Sequence, residues 1–367
     1  MLNVLFAGSP ECAVPSLEAV ARKHRVVAVL TNPAAPQGRS KELVPTPVAA
    51  CAARLIKEGA IEAGTPILTP EKLTQDVRDA IAATKPDILA CFAYGKIFGP
   101  KTLAIFPKGA VNVHPSLLPR WRGSTPVPAA ILACDAETGI TVQKMALEMD
   151  AGDIIVQTRF PLNGTETAET LLARAAAEGA PLLVESLDLL EAGKATLTKQ
   201  NEADATYCSM LKKEDGEIDW TKSAKSISAQ IRAFTPWPGA FTTAFPSGTA
   251  SAAGEPQTLL ILDAHEYAGP AGAVDRETSA NTLRGVSPVG ETKALREDLP
   301  SGKSSDEEGR QPGFVIGIDK KEGILVQTGE GLLALGRLQW RTKKPLDWKS
   351  FLNGTREFIN STLGKQI

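Results

Sequence analysis

The first thirty residues confine this chain to one class of fold. Leu2 to Ala7 is a short apolar run stopped by Gly8-Ser9-Pro10. Glu11 to Lys23 has helical character, with Ser9 placed to cap it, Pro10 at its first position and Pro15 set to delay its start. Val26 to Leu30 is a second buried-strand run. Strand, helix and strand in this order make a βαβ unit, and hence an open, mostly parallel sheet of α/β type. The alternation continues with helices expected over 49–59, 71–84 and 125–134 and strand runs at 66–68, 87–93, 103–106 and 110–113. From Thr165 to Gly193 helical spacing places Leu171, Leu172, Ala175, Leu182, Leu183, Leu187 and Leu190 on one core-facing stripe, with a kink expected at Gly179 and Pro181.

At 367 residues the chain has room for two domains. Its character turns polar around Ala203 to Trp220, so the expected division is a first domain over 1–202, a linker over 203–222 and a second domain over 223–367. In the second domain an amphipathic helix and the rigid turn Thr235-Pro236-Trp237-Pro238-Gly239 precede β-like runs at 240–245, 258–264, 314–318, 323–328 and 331–338. Five short strands with glycine turns predict a small β-barrel of OB type. Residues 270–312 interrupt them with eight acids, six bases and almost no aromatic residue, too little apolar surface to order itself, and are read as a mobile insertion. Gly313 to Ile367 carries nine bases against five acids, with Trp340, Arg341, Lys343 and Lys344 clustered. Such a patch is either a reader of nucleic-acid backbone or a plain solvated face.

Forty basic and 42 acidic residues leave a net charge of -2, so a nucleic-acid partner would have to be met by local patches. The five cysteines are odd in number and form no C-x-x-C pair, which argues against a disulfide framework and a zinc site and makes a reducing cytoplasm the expected setting. No run approaches the ~18 apolar residues of a membrane span and the start lacks a basic n-region, so no membrane partner is expected. Thr31 to Val48 holds four prolines and follows a strand's carboxyl end, where open α/β sheets bind ligands. Arg39 and Lys41 are therefore candidates for a phosphate partner, against the alternative of a solvated surface loop.

The chemistry concentrates between Val111 and Asp153. Asn112 and His114 stand two apart on a short apolar strand and so project to one face. The proline-bounded loop Pro115-Ser116-Leu117-Leu118-Pro119 follows, then the basic aromatic segment Arg120-Trp121-Arg122-Gly123, and later the turn Met149-Asp150-Ala151-Gly152-Asp153. An amide, an imidazole and a carboxylate supply what acyl or formyl transfer needs: a donor for a developing oxyanion, a proton acceptor and an orienting base. His24 and His265 lack such company and are read as structural, and Cys91 and Cys134 as buried small hydrophobes.

These residues resemble the folate-dependent formyltransferases. The likeness rests on Asn112-Val113-His114-Pro115-Ser116-Leu117-Leu118-Pro119 with Asp150-Ala151-Gly152-Asp153, and extends to FAGSPECAVPSL, PQGRSKELVPTPV, AYGKI, IDW and IRAFTPWPG, sparing residues 270–312. It implies a Rossmann-like formyltransferase domain and, from the PQGRSK loop and the C-terminal domain, the branch of the family that formylates methionyl initiator tRNA. The formyl donor implied is 10-formyltetrahydrofolate, with no metal. By the same resemblance Asn112, His114 and Asp150 are catalytic, with the order Asp-Ala-Gly-Asp favouring Asp150 over Asp153. The folate is expected against Phe92, Ala93, Tyr94, Gly95 and Ile97 and a pocket shaped by Ser116, Leu117, Leu118 and Pro119. Arg39, Lys41, Arg341, Lys343 and Lys344 are expected to meet the tRNA. A monomer is expected. Two rivals stay open: a formyltransferase acting on a nucleotide sugar, and a catalytically silent RNA- or folate-binding protein.

Overall fold

Apolar runs too short for helices find partners in one mixed sheet in the first part of the chain. The computed structural model describes residues 1–36, 41–244, 256–269, 311–355 and 358–364, and these divide into two units, Met1–Leu211 and Lys212–Ile367. The first unit's sheet contains β1 (Asn3–Ala7), β2 (Arg25–Leu30), β3 (Ile67–Leu68), β4 (Ile88–Cys91), β5 (Ala110–His114), β6 (Glu137–Lys144) and β7 (Ile154–Pro161). Their spatial order is β7-β6-β5-β4-β1-β2-β3. The five strands from β3 to β5 are parallel, as the βαβ opening requires, while β6 is antiparallel to both of its neighbours. The connection from β6 to β7 is too short for a crossover helix, so the pair closes as a long hairpin. Strand β7 has no counterpart in the sequence reading: Gln157 and Arg159 interrupt its apolar run. Ala35-Pro36 pairs with Leu43-Val44, so the proline-rich loop contains a short antiparallel strand pair.

Helix α1 (Val14–Lys23) begins after a 3₁₀ turn at Glu11–Ala13, in keeping with Pro15 near its start. Helices α2 (Pro47–Lys57), α3 (Gln75–Ala83) and α4 (Pro126–Leu132) follow the expected runs to within a few residues. Cys134, expected to be buried, is exposed: it lies beyond the end of α4 at φ 51, where the chain turns away from the core. Helix α5 (Ala168–Glu191) is capped by Thr167 and runs through Gly179 and Pro181. A Cβ on Gly179 would stand 3.0 Å from Val113 Cγ1 and 3.6 Å from Ile140 Cγ2, so glycine lets α5 lie close on β5 and β6. This covering decides the site. With Val113 under α5, the alternation of the strand turns Asn112 and His114 to the opposite face.

In the second unit α6 (Ala224–Ala233) packs on an antiparallel sheet of β8 (Ala240–Ala244), β9 (Gln257–Glu266), β10 (Val315–Asp319), β11 (Gly323–Gln327) and β12 (Leu332–Trp340). The order is β8-β9-β12-β11-β10, with β13 (Leu346–Asp347) on β12. Ile227, Ile231, Leu259, Ile261, Val326, Leu335, Phe351 and Phe358 fill its core. Closure into a barrel is not found among the described residues, because the edge strands β8 and β10 do not pair. The segment 360–364 lies between them: Leu363 N–H donates to Gly313 O at 2.8 Å, and Gly364 N–H to Thr243 O at 2.8 Å. Residues 203–222 are not a free connector. Tyr207-Cys208 pairs with Arg122-Gly123 in the first unit, while Ile218 and Trp220 are buried in the second. The expected insertion lies outside the described residues over 270–310.

Candidate active site

Strand register builds the site one rung at a time. Ala7 pairs with Cys91, Cys91 with Asn112 and Asn112 with Gln143, so these four residues form a row across β1, β4, β5 and β6. One rung further, His114 pairs with Thr141. Opposed residues of neighbouring strands share a face, so the Asn112 amide stands between the Cys91 thiol and the Gln143 amide with the His114 ring next to it. Burial holds the Cys91 thiol up at about 12, which keeps it a neutral lining group rather than a nucleophile.

His114 is 3% exposed. Its Nε2 lies 2.9 Å from the Trp121 carbonyl, and because a carbonyl only accepts, Nε2 carries the proton. Nδ1 is then the free base, facing Asp150 Oδ2 at 3.7 Å. Burial pushes the imidazole below its ordinary pKa; Asp150 and the Trp121 carbonyl pull it back up. Asp150 is held from two sides, Oδ2 accepting from Gly123 N–H and Oδ1 from Gln143 Nε2, each at 2.9 Å. It sits at φ 52, in the left-handed region. The amide of Asn112 has no partner among the described residues. An unpaired amide donor, an imidazole with a free Nδ1 and a carboxylate beside it suit the transfer of an acyl-type carbon to an amine.

The loop after β5 is fastened by its own polar groups. Ser116 Oγ donates to Arg120 O at 2.6 Å, Thr141 Oγ1 donates to Ser116 O at 2.7 Å, and Leu118 N–H donates to Thr141 Oγ1 at 3.2 Å. Ser116 and Leu118 are thus buried supports, whereas Leu117 and Pro119 are half-buried. Leu117 joins Arg120, Trp121, Asp135, Ala136, Glu137 and Thr138 around a cavity of about 170 Å³. After β4 the chain turns at Ala93 (φ 52) and Gly95 (φ 81), with Asn32 Nδ2 donating to Tyr94 O at 3.1 Å. Phe92 and Tyr94 point inward, while Ala93, Gly95 and Ile97 face solvent. Tyr94, Phe98 and Met145 share one apolar cluster, so the turn after β4 and the segment after β6 flank the same face. Each carries exposed apolar side chains: Ile97 (79%), Leu147 (72%) and Met149 (54%). The two apolar shelves and the amide that has no partner among the described residues lie on the same side of the sheet.

Sequence comparison points the same way. The family model described as formyl transferase matches residues 2–187, and that of the formyl transferase C-terminal domain matches 210–356. The methionyl-tRNA formyltransferase of Treponema denticola is 46% identical over 358 residues, which cover 98% of each chain. That of Coxiella burnetii is 36% identical over 354 residues, 96% of this chain and 95% of the other. The chain belongs to the methionyl-tRNA formyltransferase family. Among solved structures, WlaRD, described as a sugar 3N-formyl transferase in the presence of dTDP and 5-N-formyl-THF, superposes with a TM-score of 0.57 at 15% identity, covering 94% of this chain and 99% of that one. At that identity the likeness is one of fold.

Of the residues expected in a methionyl-tRNA formyltransferase site, Asn112, His114 and Asp150 are brought together by the first unit alone. Lys41 is exposed in the first unit and Arg341, Lys343 and Lys344 in the second; Arg39 lies outside the described residues. Gln143 escapes the sequence reading, although a glutamine inside the apolar strand Gly139-Ile140-Thr141-Val142-Gln143 is a signal of a buried polar contact. No helix among the described residues is long and apolar enough to cross a membrane.

Proposed function

We propose that this protein transfers the formyl group of 10-formyltetrahydrofolate to the α-amino group of methionyl initiator tRNA, with Asn112, His114 and Asp150 as its catalytic residues. The observation that carries the reading is the unpaired Asn112 amide beside an imidazole whose Nδ1 faces Asp150 at 3.7 Å. The folate supplies the formyl carbon and leaves with a proton on N10. Asn112 Nδ2 donates to the formyl oxygen as negative charge gathers there. His114 Nδ1 takes the proton that the amine sheds as its new C–N bond forms, and returns a proton towards N10 as the old bond breaks. Asp150, held by Gly123 and Gln143, stabilises the imidazolium between these two transfers. The gap between Nδ1 and Oδ2 exceeds a hydrogen bond, so Asp150 does not tie up the Nδ1 lone pair.

The shelves at Ala93, Gly95 and Ile97 and at Leu147 and Met149 support the folate reading, with Ser116 to Pro119 framing the pocket rather than lending it polar groups. Arg39 and Lys41 are assigned to the acceptor end of the tRNA and Arg341, Lys343 and Lys344 to its phosphates. The strand order of the second unit, with segment 360–364 between its edges, supports an OB-type platform for that arm. A monomer working in the cytoplasm fits this substrate.

The test is formyl transfer from 10-formyltetrahydrofolate to charged methionyl initiator tRNA, run beside uncharged tRNA, free methionine and a 4-amino-sugar nucleotide. Product on the charged tRNA alone, lost in His114→Ala, is the expected result. Transfer to the sugar but not to the tRNA would overturn the substrate assignment.

A further inference from the structure

Resting on that reading of Asp150, we propose that Gln200 is a positioning residue for formyl transfer, which holds the Asp150 turn in the conformation that aims its carboxylate at His114. Gln200 Nε2 donates to Asp150 O at 2.8 Å and to Gly152 O at 2.7 Å, gripping the turn on both sides of Ala151. The same nitrogen lies 3.3 Å from Gln143 Oε1, the carbonyl of the side chain that donates to Asp150 Oδ1. Gln200 therefore touches the turn's backbone directly and its carboxylate through one further amide.

The orientation of Gln200 is itself imposed. Its Oε1 accepts from Arg122 Nε at 3.0 Å, and because a guanidinium only donates, the amide cannot be reversed. The Arg122 side chain is fully buried, and its two Nη atoms pair with Glu202 at 2.8 and 2.7 Å. Arg122 comes from the segment that also supplies Gly123, whose N–H donates to Asp150 Oδ2. One buried arginine thus sets both ends of the clamp. The turn needs holding: Asp150 is at φ 52, a region that residues with a Cβ rarely adopt. A Cβ on Gly152 would fall 1.7 Å from the Lys144 carbonyl, so the turn lies this close to the end of β6 only with glycine there.

Two variants separate positioning from bulk structure. Gln200→Ala removes the donors; Gln200→Glu keeps the size and the contact with Arg122 but sets a carboxylate against two carbonyls. Both are expected to lower kcat about 10- to 100-fold, the usual cost of losing a group that orients a catalytic residue. KM for methionyl-tRNA should stay within about threefold, since a positioning group acts in the chemical step. Added to Asp150→Asn, Gln200→Ala should cost less than about twofold further, because both changes remove the same interaction. Near wild-type kcat in both variants, a loss confined to KM, full multiplication of the losses on the Asp150→Asn background, or failure of both variants to fold would each overturn the proposal. Wild-type activity of Asp150→Asn would instead overturn the reading of Asp150 on which it rests.

Discussion

In the proposed mechanism Asn112 and His114 divide the chemistry by what surrounds them. The Asn112 amide has no partner among the described residues, so Asn112→Ala should leave thermal stability nearly unchanged while lowering kcat by about 10²- to 10³-fold, the loss typical of one oxyanion donor. A comparable fall in melting temperature would show a structural asparagine instead. For His114 the sign follows from burial, which outweighs Asp150 and depresses the pKa. In the proposed mechanism the neutral imidazole is the active form. The profile of kcat/KM should therefore be flat around neutral pH and fall only as pH drops through a value below that of an ordinary histidine. In Asp150→Asn the carboxylate that raises this pKa is gone, so the acid limb of the residual activity should move to still lower pH. A limb that stays in place would separate Asp150 from the titration of His114.

Helix α5 is the element that assigns faces. It covers Val113 and Ile140 through Gly179, and so directs Asn112 and His114 to the opposite face of the sheet. Gly179→Val adds bulk where a Cβ already stands 3.0 Å from Val113, and should cost about 1–3 kcal/mol in denaturant unfolding, as overpacking does. Because Val113 lies between the two site residues, kcat should fall as well. At its other end α5 meets α1: His24, buried at the end of α1, has Nε2 3.3 Å from Asp188 Oδ1. Burial lowers the His24 pKa more than Asp188 raises it. A folded-state pKa below the unfolded one contributes stability that is present above the unfolded value and lost as pH falls through the folded one. Unfolding free energy should therefore decline on acidification from neutral pH, with a shallower decline in His24→Gln.

At the scale of the molecule, the chemistry is assigned to the first unit and the phosphate contacts of Arg341, Lys343 and Lys344 to the second, and variants should separate them. Replacing Arg341, Lys343 and Lys344 with alanine should raise KM for the tRNA and reduce the slope of log affinity against log salt by up to about three, one for each phosphate no longer neutralised by a side chain. The rate at saturating tRNA should be kept. An unchanged salt slope would return these residues to the solvated face that their sequence also allows. With a net charge of -2, the attraction of a polyanion has to come from a local patch of this kind rather than from the molecule as a whole.

Much is legible in the chain itself because it is local. The βαβ opening follows from apolar runs and their stop signals, and the shared face of Asn112 and His114 from a two-residue strand repeat. The association of both with Asp150 comes from resemblance, since nothing in the spacing dictates it. What the tertiary structure decided is non-local. The reversal of β6, the row Cys91–Asn112–Gln143, and the grip of Gln200 on Asp150 join segments that are far apart in sequence, 50 residues in the last case. A glutamine or arginine in the chain carries no mark of the carbonyl it will meet. Nor does the number of β-runs determine whether edge strands close: five short runs predict a barrel, while among the described residues β8 and β10 do not pair and segment 360–364 lies between them. Periodicity is a property of each backbone segment; pairing, register and the burial of polar side chains follow from the packing of all segments together.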